Sequence, residues 1–400
     1  MAAKITAKKI PGENYFDYSR EIDDLTGFEI LDTFEKFKQR DDVFCRALWD
    51  EGVAGKKVMD FYKGYYMPRA RARKTDGFSQ RDYALRNAAW HVCNVMREQK
   101  EGRKEGFHDH FTSHDDGWPE PYPFESAKQA TDDIRKVAAF AGADLVGICA
   151  YDDRWMYDGI YDTKGKSKPL DIPDDLTSVI VTGEAMDREL TATVPSALAG
   201  SATGMGYTND CVTLLTMAQY IRNLGYRAYA TMNDSALAVP LAVQAGLGEG
   251  GRHSLLITPE FGARLRLGKI FTDMPLRHDK PMSFGVREFC MICNRCAKGC
   301  PPKAISFDEP SDKIFNRSNL KGVVKWSTDA EKCFKFWVNQ NTDCSICIRV
   351  CPYNRDYSKW YNRLWQKLAG GPLRKFALWL DDRLSPRKRL KSNDWWQKSK

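Results

Sequence analysis

Residues 290–301 read Cys290-Met-Ile-Cys293-Asn-Arg-Cys296-Ala-Lys-Gly-Cys300-Pro301. The spacing is C-x2-C-x2-C-x3-C-P, in which three close thiolates bind one [4Fe–4S] cluster and the fourth cysteine, before proline, serves a second cluster. We therefore predict that this part of the chain folds around iron–sulfur clusters and delivers low-potential electrons to an acceptor nearby.

A second cysteine run follows, with Cys333 and then Cys344-Ser-Ile-Cys347-Ile-Arg-Val-Cys351-Pro352. Disulfides would not explain the ordered spacing, and a zinc site would not explain two Cys-Pro endings. Exchange of the fourth ligand between the runs predicts two sets of ligands. The first cluster takes Cys290, Cys293, Cys296 and Cys351, and the second takes Cys300, Cys333, Cys344 and Cys347.

Composition indicates a folded protein with a substantial core. The chain has 400 residues, 42% of them apolar, and a formal net charge of +8 at pH 7. This length suggests two or three domains. No apolar run approaches the roughly 18 residues of a membrane-spanning helix. The cysteines outside the two runs are expected to be buried thiols rather than a disulfide framework, and they are Cys45, Cys93, Cys149 and Cys211.

The apolar pattern between the proline-rich stretch 117–123 and the first cysteine run alternates between helix and strand. Helices are predicted at about 126–141, 209–223 and 237–245, and strands at 145–151, 178–183, 226–232, 254–258 and 265–271. Such alternation predicts an α/β domain. No Walker loop is present, and no G-x-G-x-x-G follows a strand, so a nicotinamide site is not predicted.

Four regions follow from these patterns. Residues 1–120 form a polar, aromatic region that we expect to cover the pocket, and residues 121–285 form the α/β domain. Residues 286–356 form the ferredoxin-like domain, and residues 357–400 form a basic, Trp-rich tail. The tail could lie on a membrane surface or on a partner, or pack its tryptophans on the body of the protein.

Several motifs in the α/β domain suggest what receives the electrons. They are Tyr151-Asp-Asp-Arg154-Trp155, Gly204-Met-Gly206-Tyr207, Met232-Asn233-Asp234, Val239-Pro-Leu-Ala-Val-Gln-Ala-Gly-Leu-Gly248 and Arg266. With these motifs and the two cysteine runs, nearly the whole chain resembles the corrinoid, iron–sulfur reductive dehalogenases of organohalide respiration.

The resemblance implies an α/β (α+β) fold, with a nitroreductase-like, corrinoid-binding core and an inserted ferredoxin-like domain that holds two [4Fe–4S] clusters. It also implies a base-off cobamide. The chain has no Asp-x-His-x-x-Gly run to supply a lower histidine ligand, which agrees with a base-off cofactor. The cofactor contacts expected from the motifs are Gly204, Gly206, Met232 and Gly248.

By motif position, the resemblance implies that Tyr207 is the proton donor and that Asn233 and Arg266 support it. An ordinary tyrosine has a pKa of about 10, so it keeps its proton at neutral pH and can donate it. A neighbouring guanidinium would stabilise the phenolate that remains. The asparagine would orient the tyrosine or receive the departing halide.

The implied activity is reductive dehalogenation of small chlorinated hydrocarbons, with chloroalkanes favoured over chloroethenes. Two electrons and one proton reduce the carbon–halogen bond at a Co(I) cobamide fed by the clusters. Such substrates offer few hydrogen-bonding groups, so we expect an apolar, aromatic pocket. Its expected residues are Trp337, Thr203, Phe44 and Trp49.

The resemblance also implies partners and a location. We expect a small integral-membrane anchor protein, an upstream electron donor and a homodimer, and no nucleic acid. No twin-arginine leader is visible in the sequence. The expectation is a mature protein at the outer face of the cytoplasmic membrane after twin-arginine export, or a cytoplasmic protein if no leader exists.

Two alternatives remain open from the sequence. An epoxyqueuosine reductase of tRNA modification shares the two-cluster plan, and the net charge of +8 would suit RNA. A non-catalytic electron-transfer protein would need no cobamide. A corrinoid absorption spectrum separates the electron-transfer protein from both enzymes, and tRNA binding separates the two enzymes from each other.

Overall fold

The computed structural model of the chain describes residues 26–65, 72–99, 108–109, 120–161, 167–384 and 388–398. Its strands are β1 His108–Asp109, β2 Leu145–Ala150, β3 Ile160–Tyr161, β4 Ser167–Lys168, β5 Ser178–Ala185, β6 Ala228–Thr231, β7 Glu249–Gly250, β8 Leu256–Ile257 and β9 Leu265–Thr272. Its first seven α-helices are α1 Val43–Arg46, α2 Lys56–Lys63, α3 Gln80–Gln99, α4 Ala127–Ala141, α5 Arg188–Ala192, α6 Gly200–Asn223 and α7 Ala238–Gln244. The later helices are α8 Val286–Ile292, α9 Arg295–Gly299, α10 Ala330–Gln340, α11 Ile346–Val350, α12 Trp360–Gly370, α13 Arg374–Leu384 and α14 Ser392–Gln397.

Five strands form one sheet in the order β1-β6-β9-β5-β2. The longest ladder joins β5 and β9 and runs from Ser178 opposite Thr272 to Ala185 opposite Leu265. On either side of it, β2 pairs with β5 and β6 pairs with β9. These pairings are all antiparallel, so the alternation of helices and strands produces an α+β domain rather than a parallel α/β sheet.

The sheet separates two apolar cores because successive side chains of a strand point to opposite faces. Val179 and Val181 of β5 belong to one core, together with the fully buried Trp155. Ile180 of β5 and Ile270 of β9 belong to the other, beneath α4 and α6. Both faces of the central strands are therefore covered.

The predicted boundaries of α4 are confirmed. Ser126 Oγ accepts a hydrogen bond from the backbone N–H of Gln129 at 3.2 Å and so caps the first turn. Gly142 ends the helix with a left-handed φ of 114°, a conformation that favours glycine. By contrast, the strand predicted at 254–258 shortens to β8, which pairs with β7 in a separate two-stranded sheet.

Helix α6 is buried over most of its surface and begins earlier than the sequence predicts. Glycines at positions 200, 204 and 206 weaken the helical pattern, because glycine is a poor helix former. In the structure, the missing side chains of Gly204 and Gly206 leave space for side chains of other elements. A Cβ at Gly204 would overlap the ring of Trp90 on α3, and one at Gly206 would lie 2.7 Å from Arg266 Cγ on β9.

The C-terminal tail packs partly on the cluster-binding region. Trp365 of α12 is 3% exposed, and its indole N–H donates to the Ala377 carbonyl at 2.9 Å. Its ring meets that of Tyr353 edge-on at 5.4 Å. Trp360 and Trp379, however, are 74% and 51% exposed, so packing on the body accounts for only part of the tail.

Two further observations concern expectations from composition. Cys45, Cys93, Cys149 and Cys211 are buried, as predicted. Within the residues that the structure describes, no helix combines the length and the apolar character that crossing a membrane requires.

Candidate active site and cluster-binding cysteines

The cysteines of the two runs lie in and beside α8 to α11, and all are buried or half-buried. Their mutual electrostatic influence indicates which of them are close. Burial, and then Cys290 and Cys351, raise the pKa of the Cys296 thiol. Burial, and then Cys344, raise the pKa of Cys333 to about 12. These neighbours fall within the two ligand sets given by the sequence spacing.

The arrangement suits clusters rather than a single metal ion. In the described part of the chain, no group of three or more His, Cys, Asp or Glu side chains is gathered as for one ion. In a cluster, by contrast, each thiolate binds a different iron. The raised pKa values also mean that buried thiolates are costly without positive charge, which cluster iron supplies. The two sets adjoin, because Cys347 contributes to the raised pKa of Cys296.

Arg252 is a structural link that sequence reasoning missed. It is 2% exposed and donates twice to the Cys290 carbonyl, at 3.1 and 2.7 Å. It also donates to the carbonyls of Ser306 and Asp308, at 3.0 and 2.8 Å, and lies over the Trp326 ring. One buried guanidinium therefore fixes the backbone of the first cysteine run. Its place in a glycine-rich stretch offered no signal of this role.

Tyr207, Asn233 and Arg266 come together from three separate elements. The tyrosine lies on α6, the asparagine follows β6, and the arginine lies on β9. Asn233 Nδ2 donates to Tyr207 Oη at 2.7 Å, and Arg266 Nη1 makes a weak hydrogen bond to the same oxygen at 3.5 Å. The guanidinium carbon lies 5.4 Å from the centre of the tyrosine ring. The Tyr207 oxygen therefore accepts from an amide and a cation together.

The glycines expected to contact the cofactor are placed differently. Gly204 and Gly206 admit Trp90 and Arg266, as described above, and a Cβ at Gly248 would overlap the Ile257 carbonyl. None of the three is among the residues that line the cavity beside Tyr207, whereas Met232 is. Glycine is needed at these positions because other parts of the chain pack closely against them.

The cavity beside Tyr207 has a volume of about 550 Å³ and is aromatic at one end. We call this the aromatic end, and its rings belong to Phe44, Phe61, Tyr62, Tyr65, Trp90 and Trp337. The Trp90 ring lies 5.1 Å from the Tyr207 ring and 5.5 Å from the Tyr65 ring. Phe44 and Trp337 are 5.5 Å apart. Trp90 was not foreseen, because only the packing of α3 on α6 brings it here.

Trp49, which the sequence analysis placed in the pocket, does not line the cavity. Its ring lies between two guanidinium groups, with Arg40 at 4.4 Å and Arg317 at 5.2 Å from its centre. Its indole N–H donates to the Arg40 carbonyl at 2.8 Å. Cation–π contacts and a backbone hydrogen bond hold the ring outside this cavity, so the structure does not bring Trp49 together with the other predicted pocket residues.

Thr203 does line the cavity, next to a carboxylate that the sequence analysis did not single out. Thr203 Oγ1 donates to Asp343 Oδ2 at 3.0 Å, and Thr342 Oγ1 donates to Asp343 Oδ1 at 3.1 Å. Asp343 is 6% exposed and is itself part of the cavity wall. The aromatic end therefore includes the Asp343 carboxyl group in a mostly apolar wall.

Elsewhere the cavity wall mixes glycines and small side chains with larger apolar and charged residues. We call the part that includes Gly27, Ala236, Ala238, Gly250, Gly251, Ser254, Arg287 and Lys325 the small-residue end. A Cβ at Gly250 would meet nothing within 4 Å, so this wall leaves room for a large ligand. No histidine belongs to the described lining of the cavity.

Buried ionisable groups lie behind Tyr207 and Arg266. Burial, and then Asp210, raise the pKa of Glu184 to about 8. Burial raises the pKa of Asp210 to about 7, against the opposing influence of Lys269. Burial also lowers the pKa of Lys269 to about 8. Each group is thus shifted towards its neutral form.

Fold and site together define a class: a two-cluster, ferredoxin-like unit joined to an α+β domain with an aromatic cavity. Comparison with known proteins shows which families these two parts resemble. Residues 157–276 match the family model of the reductive dehalogenase subunit, and residues 289–354 match a 4Fe–4S double cluster binding domain. The chain is therefore similar to reductive dehalogenases in its α+β domain and to double-cluster iron–sulfur proteins in its second domain.

Relatives support this placement. A tetrachloroethene reductive dehalogenase of Desulfitobacterium hafniense strain Y51 is 35% identical over 318 residues, which are 68% of this chain and 57% of the relative. A solved reductive dehalogenase, described as suggesting a mechanism for B12-dependent dehalogenation, shares the fold with a TM-score of 0.71 at 24% identity. That match covers 92% of this chain and 49% of the solved chain.

The chain spans only about half the length of the curated relatives it matches, from 50% to 57% of the first of them. A more distant match is the epoxyqueuosine reductase of Listeria monocytogenes, which is 33% identical over 124 residues. Those residues are 30% of this chain and 30% of that protein. The long match is therefore to dehalogenases, and the short one covers less than a third of the chain.

Proposed function

We propose that this chain catalyses reductive dehalogenation of small chlorinated hydrocarbons, in which R–X, two electrons and one proton give R–H and halide. The observation that carries the proposal is the Tyr207 hydroxyl, which accepts from Asn233 at 2.7 Å and from Arg266 at 3.5 Å at the wall of an aromatic cavity. An acid held in this way beside two cluster-binding cysteine sets suits a reaction that consumes a proton and electrons.

The role of the chain in proton transfer follows from these hydrogen bonds. Because the Tyr207 oxygen accepts from both neighbours, its own O–H is left to donate into the cavity. After donation, the phenolate keeps the Asn233 amide and the Arg266 cation as partners, and charge-assisted hydrogen bonds are the stronger kind. The Trp90 ring covers the tyrosine and keeps water from that face.

The residues of the small-residue end suit a base-off cobamide. Gly250 leaves an open wall, and no histidine in the described lining competes for the metal. When bound there, a cobamide supplies the reduced cobalt that passes two electrons to the carbon–halogen bond. Gly250, Gly251, Ala236 and Met232 are the residues that we expect to contact it.

Each cysteine set is linked to the cavity wall through neighbouring residues, which supports electron transfer into the cavity. Helix α10 carries Cys333 and also the cavity residue Trp337. Arg252 follows the cavity residue Gly251 and binds the Cys290 carbonyl. Each cluster site is thus tied to the cavity wall through one short stretch of chain.

The aromatic end supports a small, neutral substrate. Its rings offer apolar contact, and the buried carboxylate of Asp343 disfavours an anionic compound by charge repulsion. Chloroalkanes are our first candidates, and chloroethenes, which the names of the dehalogenase relatives indicate, are the second. Thr203 and Phe44 belong to this proposed substrate site.

The partners and the location are proposals as well. We propose an integral-membrane anchor protein, an upstream electron donor, a homodimer, and activity at the outer face of the cytoplasmic membrane. The support is the exposed aromatic side chains of α12 and α13, namely Trp360, Phe376 and Trp379, which lie among basic residues. Copurification with detergent-solubilised membrane proteins tests the anchor directly.

The experiment that tests the activity begins with protein purified without oxygen. Iron and cobalt are counted, and halide release driven by reduced methyl viologen is measured with chloroalkanes and with chloroethenes. About eight irons and one cobalt, with halide released, is the expected result. Eight irons without cobalt would leave the electron-transfer alternative, and tRNA binding without halide release would favour an epoxyqueuosine reductase.

A further inference from the structure

Lys325 is a cation in the wall of the small-residue end whose partners are neutral. Its ammonium donates to Ser327 Oγ at 2.7 Å and to the Leu320 carbonyl at 3.4 Å. Within the described residues, no carboxylate lies within ion-pair distance of it. Burial lowers its pKa to about 8. A half-buried ammonium with neutral partners pays a desolvation cost that an anion would offset.

The backbone around Lys325 is fixed before any ligand arrives. Its N–H and carbonyl both pair with Ser311, at 3.0 Å each. The next residue, Trp326, is 5% exposed and donates to the Asp308 carbonyl at 2.9 Å. Ser254 Oγ donates to the Trp326 carbonyl at 2.9 Å. The ammonium therefore extends from a rigid segment, as a ligand-binding group should.

The chemistry of a cobamide indicates which anion belongs there. The amide groups around a corrin ring are neutral, and the phosphodiester of the nucleotide loop is the permanent negative charge of the molecule. We propose that Lys325 binds this phosphodiester and thereby selects corrinoids that carry the nucleotide loop. The inference rests on the proposed function, because it assumes that a cobamide occupies the small-residue end.

Three probes test the assignment on cobamide-free protein that retains its clusters. They are cobinamide, which lacks the phosphate, cobinamide phosphate, and cobalamin with its complete nucleotide loop. Affinity is measured from the change in corrinoid absorbance and from quenching of tryptophan fluorescence. Wild-type protein should bind the two phosphate-bearing probes about tenfold to a hundredfold more tightly than cobinamide, as one charge-assisted hydrogen bond would provide.

Lys325→Met should remove most of this preference and leave the affinity for cobinamide unchanged, whereas Lys325→Arg should retain it. The matched control is Lys321→Met, which also removes one positive charge but affects an exposed lysine paired with Glu35 at 2.7 Å. That control should keep the wild-type preference. Iron content and circular dichroism show whether each variant folds.

Two results would overturn the assignment. One is an equal loss of affinity for all three probes in Lys325→Met, and the other is an undiminished preference for phosphate in that variant. Either would leave the proposed function standing, because wild-type protein would still bind corrinoids. If wild-type protein bound none of the three, the proposed function itself would fail, and the assignment of Lys325 with it.

Discussion

The cluster-binding cysteines and the Tyr207 site are assembled over very different lengths of chain. In the first run, Cys290 and Cys296 lie on the short helices α8 and α9, and Cys293 and Cys300 directly follow these helices. Tyr207, Asn233 and Arg266 instead meet only because α6 packs on a sheet in which β6 and β9 are neighbours. The cysteine runs can be recognised from spacing in the local sequence, whereas the Tyr207 site depends on the packing of the domain.

This difference predicts how the two sites respond to change. A site built from local spacing fails when one ligand is lost, while the fold around the cavity persists. A site built by packing can lose one reacting group without losing its geometry, but it is sensitive to changes in the helices and strands that support it. The following variants separate these two kinds of dependence.

The largest effect is expected for Cys347→Ser, which removes a ligand of the proposed second cluster. Serine is a poor substitute for a thiolate, so iron should fall from about eight to about four per chain, and viologen-driven turnover should vanish. Cys149→Ser is the matched control, because Cys149 is a buried cysteine outside the runs and its thiol contacts the Leu241 carbonyl at 3.7 Å. Full iron content and normal turnover in Cys347→Ser would show that Cys347 is not a cluster ligand and that the assignment of the ligand sets is wrong.

Tyr207→Phe should lower turnover by about a hundredfold to ten-thousandfold, the usual range for loss of a general acid, while iron and corrinoid contents stay normal. The ring remains to pack against Trp90, so only the hydroxyl is lost. Tyr226→Phe removes a hydroxyl that donates to the Tyr122 carbonyl far from the cavity and should change little. Wild-type rates in Tyr207→Phe would remove this residue as the proton donor.

The sequence was a good guide wherever local chemistry decides the structure. The cysteine spacing predicted the cluster domain, and Ser126 and Gly142 predicted the two ends of α4. It was a poor guide where distant parts of the chain meet. Trp90 enters the cavity from α3 because Gly204 leaves space for it, and nothing in the sequence around position 90 indicates that contact. The position of Trp49 was not foreseen for the same reason, since its stacking on Arg40 and Arg317 depends on tertiary structure.

The buried carboxylate of Glu184 should make stability depend on pH. Its pKa is raised to about 8, so between its unfolded value near 4.5 and about 8 the folded protein holds a proton that the unfolded chain has released. Stability should therefore fall as pH rises through this window, by up to about 5 kcal/mol for such a buried group. Glu184→Gln should lessen the dependence of the unfolding midpoint on pH between 5 and 8, with the part due to Asp210 remaining, whereas Glu309→Gln, at an exposed carboxylate, should leave it unchanged. An unaltered slope in Glu184→Gln would mean that this carboxyl is ionised in the folded protein.

Gly204→Ala gives the smallest of these effects and the most direct test of assembly by packing. Alanine favours a helix over glycine by about 1 kcal/mol. Its Cβ would overlap Trp90, whose ring is held by a hydrogen bond from Nε1 to the Gly200 carbonyl at 3.2 Å. Overpacking typically costs about 1–3 kcal/mol, so we expect a net loss of up to about 2 kcal/mol in the free energy of unfolding. Gly52→Ala, where the nearest atom is the flexible Asp50 carboxylate at 3.3 Å, should be nearly neutral. A Gly204→Ala protein as stable as wild type would mean that Trp90 can move aside. A selective loss of corrinoid affinity in that variant would instead support the prediction that Gly204 contacts the cofactor.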